Sequence, residues 1–144
     1  MKPFLDLLDT ELELELMLAV RPIGLPRINI SINNQVVYSG ALDTALKLRQ
    51  QLPLLDPFSI KIELVEKDYM ALHETAAVVE QLSIDDFELV PRWTQLFEYT
   101  NDHDYHDPTN YLGFVGTWTL TVDQPFYQWR HRVTGQGLLL TLDQ

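Results

Sequence analysis

One polar loop, residues 102–107, holds the densest set of possible metal ligands in the chain, three aspartates and two histidines. Oxygen from Asp102, Asp104 and Asp107 suits calcium, whereas the imidazoles would suit zinc. An EF-hand loop needs glycine at its sixth position and glutamate at its twelfth, but those positions hold Asp107 and Gly113 here. The spacing favours a surface turn in which aspartates cap local amides, with calcium bound by the three aspartates as the alternative.

Aromatic side chains are concentrated in the same part of the chain. Ten of them fall between residues 93 and 129. Most are predicted to pack in a core around the last strands, and the alternative is an exposed stacking platform of the kind that sugars and protein partners contact. Tyr105 and Tyr111, within or beside the polar loop, are the rings that we expect to be exposed. They are the candidate binding residues of this region.

Signatures of catalysis are missing from the sequence. It contains no Gly-x-Ser-x-Gly, no Gly-x-Gly-x-x-Gly and no His-Glu-x-x-His. Asp85 and Asp86 are adjacent, and neighbouring side chains on an extended chain point to opposite faces, so the pair cannot flank one scissile bond. A turn is predicted there instead. We expect a binding protein with no catalytic residue, and not an enzyme.

Charge and composition limit the kinds of partner that the chain is expected to bind. The net charge is −11, and residues 54–107 carry thirteen acids and three bases, a local balance of 3 − 13 = −10. Such a surface repels phosphate backbones, so we expect no nucleic acid partner. It is either a solvated acidic surface or a face that meets cations or a basic protein. The chain has no cysteine, and it has no apolar run long enough to insert into a membrane.

The N-terminal segment alternates leucine with acidic residues, which is typical of a strand with one apolar and one acidic face. Leucines occupy positions 12, 14, 16 and 18, next to Glu11, Glu13 and Glu15. Three like charges on one face are typical of an edge strand that avoids further pairing. We therefore predict that residues 1–24 form a strand or arm that contacts a neighbouring subunit through these glutamates, and that residues 25–144 form the folded domain.

The remaining chain predicts short strands separated by turns. Asn33-Asn34 and Asp85-Asp86 are turn signals, and Pro125 is suited to begin a short helical turn. Residues 68–75 are interpreted as a loop, with a short helix over 71–81 as the alternative to a strand. The predicted strands cover residues 27–32, 36–38, 46–48, 59–64, 76–84, 87–89, 117–122 and 138–142. This pattern predicts an all-β fold, an antiparallel β-sandwich or jelly roll of about eight or nine strands with one or two short helical turns.

Two sequence runs carry a family resemblance. Residues 111–120 read Tyr-Leu-Gly-Phe-Val-Gly-Thr-Trp-Thr-Leu, and residues 125–129 read Pro-Phe-Tyr-Gln-Trp. Both runs resemble a family of small structural proteins of tailed bacteriophages, especially those that infect cyanobacteria. One turn departs from the family, because Val115-Gly116 stands where members often have Asn-Gly. Residues 28–36 are similar to the first hairpin of that family and of calcium-dependent xylan-binding modules.

The phage resemblance implies a β-sandwich component of the virion, in the tail, fibre or capsid surface, made in the host cytoplasm. Such a protein would act in assembly or host attachment through contacts with other virion proteins, as a homo-oligomer or multicopy assembly. The similarity to xylan-binding modules implies the alternative function, a carbohydrate-binding module with a glycan as partner and calcium as candidate cofactor. The calcium ligands of those modules have no residue-by-residue counterpart in this sequence.

Overall fold

The computed structural model describes residues 13–135, which form ten strands, one 3-10 turn and one α-helix. In chain order the elements are β1 (Glu13–Ile23), β2 (Arg27–Ile32), β3 (Gln35–Ala41), β4 (Leu46–Pro53), β5 (Phe58–Glu66), β6 (Ala76–Ile84), β7 (Phe87–Val90), the 3-10 turn (Thr94–Leu96), β8 (Glu98–Asn101), β9 (Tyr111–Leu112), β10 (Gly116–Val122) and α1 (Phe126–Thr134). The predicted strand at 138–142 and the candidate residue Glu11 lie outside the described residues.

Two five-stranded antiparallel sheets make up the fold. The first has the order β4-β1-β6-β7, with β9 also paired to β6, and the second has the order β3-β2-β5-β10-β8. Buried residues alternate along β1, β2, β5 and β10, so each sheet has one core face and one outer face. The predicted all-β sandwich is confirmed, with one helix longer than the turn expected from the sequence.

The edge-strand interpretation of β1 is wrong. Leu16 of β1 pairs with Gln50 of β4 on one side and with Ile84 of β6 on the other. Hence β1 is an inner strand of the sandwich, and its leucines are buried. Its glutamates lie on the outer face, where Glu15 pairs with Arg49 of β4 at 3.6 Å. The cation that pairs with Glu15 comes from a strand more than thirty residues away in sequence. The run of like charges in β1 therefore wrongly indicated an edge strand.

Turns and helix follow the local sequence closely. Asn33-Asn34 and Asp85-Asp86 all have φ between 49° and 65°, as the central residues of tight hairpin turns require. The helix begins after Pro125 and ends at Gly135, whose φ of 79° terminates it. Residues 76–84 form β6 and no helix. Within residues 13–135, no helix is long and apolar enough to cross a membrane.

The largest fully buried side chain in the described part of the chain is Trp118 of β10. Its indole stacks on Phe97, with the ring centroids 3.9 Å apart and the planes within 4° of each other. Its Nε1–H donates to the carbonyl oxygen of Thr109 at 2.9 Å. Because buried indole N–H groups need an acceptor, this bond ties the 102–110 loop to the core of the sandwich. The same side chain therefore contributes to stability and to the position of the loop.

Replacing Trp118 with alanine should lower the free energy of unfolding by about 3–5 kcal/mol, because it removes a buried ring and leaves a cavity. Urea denaturation followed by far-UV circular dichroism measures the change. Leu55→Ala is the control, since Leu55 is more than half exposed and its truncation should cost about 0.5 kcal/mol or less. Equal losses from both variants would contradict a core role for Trp118.

Candidate functional site

One end of the sandwich carries exposed aromatic rings. The 67–75 loop leaves β5 there, and the 102–110 loop leaves β8 at the same end. Four rings from these loops and from the connection between β9 and β10 pack together, and we call them the aromatic loop cluster: Tyr69, His103, Tyr105 and Phe114. Phe114 lies at the centre, with its ring centroid 4.2 Å from His103, 6.0 Å from Tyr105 and 6.4 Å from Tyr69. Tyr69 and Tyr105 are 41% and 39% exposed.

Asp102 fastens two of these rings together. The Tyr69 hydroxyl donates to both carboxylate oxygens of Asp102, at 2.7 and 2.8 Å, and it accepts the Val115 backbone N–H at 2.8 Å. His103 Nδ1 lies 2.7 Å from the same carboxylate. An ionised carboxylate only accepts hydrogen bonds, so Nδ1 carries the proton in this contact. The cluster is held by charge-assisted hydrogen bonds rather than by ring packing alone.

These bonds have a consequence for titration. The hydrogen bond from His103, followed by the one from Tyr69, holds the pKa of the Asp102 carboxyl below its usual value. Burial, and then the hydrogen bond to Asp102, raise the pKa of the Tyr69 hydroxyl, although the hydrogen bond from the Val115 N–H opposes them. Beneath them, burial raises the pKa of Tyr99 to about 12. The Tyr99 hydroxyl therefore stays neutral, and it accepts the Phe114 N–H at 2.9 Å while donating to the Phe114 carbonyl.

Asn101 closes the polar loop. Its side-chain oxygen accepts the backbone N–H groups of His103 and Tyr105, at 3.0 and 3.1 Å. Its amide nitrogen donates to the carbonyl oxygens of Tyr99 and Tyr105, at 3.2 and 2.9 Å. Gly116 of β10 pairs with Asn101, and a side chain at Gly116 would collide with the Thr100 carbonyl oxygen and with Asn101. The close approach of β8 and β10 thus sets the start of the loop.

Tyr111 lies beside the cluster but belongs to a separate network. Its hydroxyl donates to Glu74 at 2.9 Å, and Glu74 also pairs with the Lys67 ammonium. Lys67 donates to the Gly113 carbonyl oxygen at 2.7 Å, and only 9% of its side chain is exposed. The hydrogen bond from Lys67 lowers the pKa of Glu74, whereas burial and then Glu74 raise the pKa of Tyr111. This network braces the 67–75 loop against β9.

The structure brings some predicted site residues together and separates others. Asp102 and Tyr105 belong to the cluster region, and Asp104 and Asp107 are exposed on its loop. Glu13 and Glu15 lie at the opposite end of the sandwich, because β1 begins beside the Asp85-Asp86 turn. Among residues 13–135, no group of three acidic or histidine side chains lies close enough to hold a metal ion. The three loop aspartates therefore do not converge.

Tyr69 is the residue that sequence reasoning missed. It lies outside the stretch of dense aromatics, in a loop without a clear period. Its contact with Asp102 joins positions 33 residues apart. No local sequence pattern indicates this contact. It requires that β5 and β8 finish at the same end of the sandwich, so that the loops that follow them meet.

The opposite end of the sandwich offers a competing site. A cleft of about 500 Å³ there is lined partly by Asp85, Asp86 and Arg130. Asp85 is engaged there, since it accepts the Glu15 N–H at 2.8 Å and the Tyr127 hydroxyl at 3.0 Å. The Arg130 Nε–H is buried and has no hydrogen-bond partner among the described residues. Tyr127 is the one tyrosine with substantial exposure at that end of the described chain. The aromatic loop cluster is the better candidate because several rings converge there.

Comparisons with known proteins give the fold. No protein-family model matches the chain, and no curated protein matches it. A solved structure of the carbohydrate-binding module vCBM60 in complex with galactobiose is similar, with a TM-score of 0.51 and 10% identity over 74% of this chain and 97% of that one. A selenomethionine form of vCBM60 gives a TM-score of 0.50 and 11% identity over 76% of this chain and 92% of that one.

The description of the second structure states that circular permutation provides an evolutionary link between two families of calcium-dependent carbohydrate-binding modules. At about a tenth identity, the likeness shows a shared sandwich fold. It agrees with the sequence similarity to calcium-dependent xylan-binding modules. The resemblance to bacteriophage virion proteins finds no support in these comparisons. A place in the virion, protein partners there and oligomerisation remain predictions.

Asp102→Asn should lower the melting temperature at pH 7, because it removes the charge that accepts from His103 and Tyr69. Since the pKa of Asp102 is depressed in the folded state, its contribution is present above the unfolded pKa and is lost as pH falls through the folded pKa. The gap between wild type and variant should therefore close as the pH falls from about 5 towards 3. Differential scanning calorimetry across this range measures it.

Asp107→Asn serves as the charge-matched control, because it removes one acid from the same loop without touching these bonds. Its melting temperature at pH 7 should stay close to that of wild type. A melting-temperature difference between wild type and Asp102→Asn that stays unchanged at the lowest pH would contradict a stabilising role for the ionised Asp102 carboxylate.

Proposed function

We propose that the chain is a carbohydrate-binding module whose binding surface is the aromatic loop cluster. The observation that carries the proposal is the convergence of exposed rings, those of Tyr69, His103 and Tyr105, around Phe114 at one end of the sandwich. A sugar ring has an apolar face of C–H groups and an edge of hydroxyls. Aromatic rings contact the first, and carboxylate, amide and backbone groups bind the second.

The surroundings of the cluster support a binding surface. Met70 and Leu72, on the same loop as Tyr69, are 90% and 98% exposed. Apolar side chains this exposed beside aromatic rings are typical of contact sites. Asp104 and Asp107 place exposed carboxylates on the neighbouring loop, where they can accept hydrogen bonds from sugar hydroxyls.

The fold is compatible with this function. The similarity spans almost the whole length of the carbohydrate-binding modules and about three quarters of this chain. A shared fold does not by itself assign a ligand, so the proposal rests on the rings and acceptors of this chain.

We propose binding without chemical turnover. Asp102, the acid nearest the rings, is committed to Tyr69 and His103, and hydrogen bonds to those groups favour its ionised form. Glycoside hydrolysis uses two carboxyl groups that flank the bond, one of them protonated at working pH. The arrangement around Asp102 suits a fixed acceptor that orients rings and hydroxyls.

Tyr105→Ala should weaken oligosaccharide binding about tenfold, because it removes one exposed ring from the cluster. Isothermal titration calorimetry with galactobiose, xylo-oligosaccharides and cello-oligosaccharides measures the affinity. The matched control is Tyr127→Ala, because Tyr127 is 42% exposed at the opposite end of the sandwich. Its removal should leave the affinity unchanged.

Two results would count against the proposal. One is the absence of binding by the wild-type chain to any oligosaccharide of a broad panel. The other is a loss in Tyr127→Ala equal to that in Tyr105→Ala, which would move the site to the other end.

A further inference from the structure

We infer that the aromatic loop cluster is organised by the protein's own hydrogen bonds and binds its sugar without calcium. Sugar binding at the cluster rests on the proposed function, whereas the organisation of the loop without calcium follows from the contacts alone. The inference departs from the sequence prediction of calcium at Asp102, Asp104 and Asp107. It also departs from the similar modules, which are described as calcium-dependent.

The first reason is that Asn101 already does what a bound ion would do for the loop. Its side-chain oxygen collects the N–H groups of His103 and Tyr105, and its nitrogen reaches two carbonyl oxygens. All these bonds fall between 2.9 and 3.2 Å. Calcium orders a loop by collecting oxygens. Here the Asn101 side-chain amide orders the loop, and the carbonyl oxygen of Tyr105 accepts a hydrogen bond from it.

The second reason is that the Asp102 carboxylate faces hydrogen-bond donors. The Tyr69 hydroxyl contacts both of its oxygens, and His103 Nδ1 contacts one of them. For calcium to bind, both donors would have to turn away, and the ring packing of Tyr69 on His103 at 4.7 Å would be lost. Calcium also requires six to eight oxygen ligands at about 2.3–2.6 Å. Asp104 and Asp107 do not converge with Asp102 on one point within the described residues.

The third reason is that the second loop has a cation of its own. The Lys67 ammonium pairs with Glu74, donates to Gly113 and lies 5.6 Å from the centre of the Tyr69 ring. Lys67 thus supplies the positive charge that balances the Glu74 carboxylate. Both loops of the cluster end are fixed by groups of the protein. Tyr69 is the positioning residue between them, since it contacts Asp102 and packs near Lys67.

Titrating the full-length chain with calcium chloride, against a matched sample in EDTA, tests the inference. We expect the same melting temperature and the same intrinsic tryptophan fluorescence in both, because an ion bound well above its Kd would raise the melting temperature by several degrees. Trp118 reports on the loop directly through its bond to Thr109. We also expect galactobiose or another oligosaccharide that binds to show equal affinity, within twofold, in both buffers.

Variants separate the two ways of organising the loop. Asn101→Ala should lower the melting temperature and weaken oligosaccharide binding at least tenfold, and calcium should not restore either. Asp104→Asn combined with Asp107→Asn removes two of the predicted calcium ligands and should change neither the melting temperature in calcium nor the response to EDTA.

Outcomes distinguish this inference from the proposed function. A rise in melting temperature with calcium that the double aspartate variant abolishes would overturn the inference, as would oligosaccharide binding that appears only with calcium. A chain that binds no oligosaccharide in either buffer would overturn the proposed function. In that case an unchanged melting temperature would still support a loop that is organised without calcium.

Discussion

The hydrogen bond between the Trp118 indole and the Thr109 carbonyl oxygen joins the 102–110 loop to the core of the sandwich. On one side the indole is buried against Phe97, in the core that the two sheets share. On the other side it holds the loop from which His103 and Tyr105 reach the surface. For the proposed sugar binding, an unanchored loop of this length would lose much conformational entropy when a ligand binds. Anchoring the loop in the core lets the rings be placed before any ligand arrives.

A second constraint is the satisfaction of polar groups at the aromatic end. Asn101, Asp102 and Lys67 each make several hydrogen bonds with loops that have no regular ladder of their own. Loop backbones need such partners, because an unpaired amide near a packed surface costs about 1–3 kcal/mol. Some of the protein's carboxylates are structural parts of the loops, and others stay exposed as acceptors.

The alternation of residue types was enough to predict the sandwich. Leucine spacing in β1, the Asn33-Asn34 turn and Pro125 at the start of the helix are local signals, and the structure follows each of them. The neighbours of β1 could not be predicted, because pairing with β4 and β6 depends on the topology of the whole sheet. The contact of Tyr69 with Asp102 was missed for the same reason. Sequence reasoning found the loop with the acids and the two exposed tyrosines, Tyr105 and Tyr111. The packing of the aromatic loop cluster, in contrast, is long-range.

The central claim is that sugars bind at the aromatic loop cluster. Two-dimensional NMR of the ¹⁵N-labelled chain, titrated with galactobiose and with xylo-oligosaccharides, tests it most directly. The account predicts that the backbone signals of Tyr69, His103, Tyr105 and Phe114 shift on saturation, together with the indole N–H signal of Trp118. Shifts confined to the Asp85-Asp86 turn and the first turn of α1, or no shift with any sugar, would contradict it.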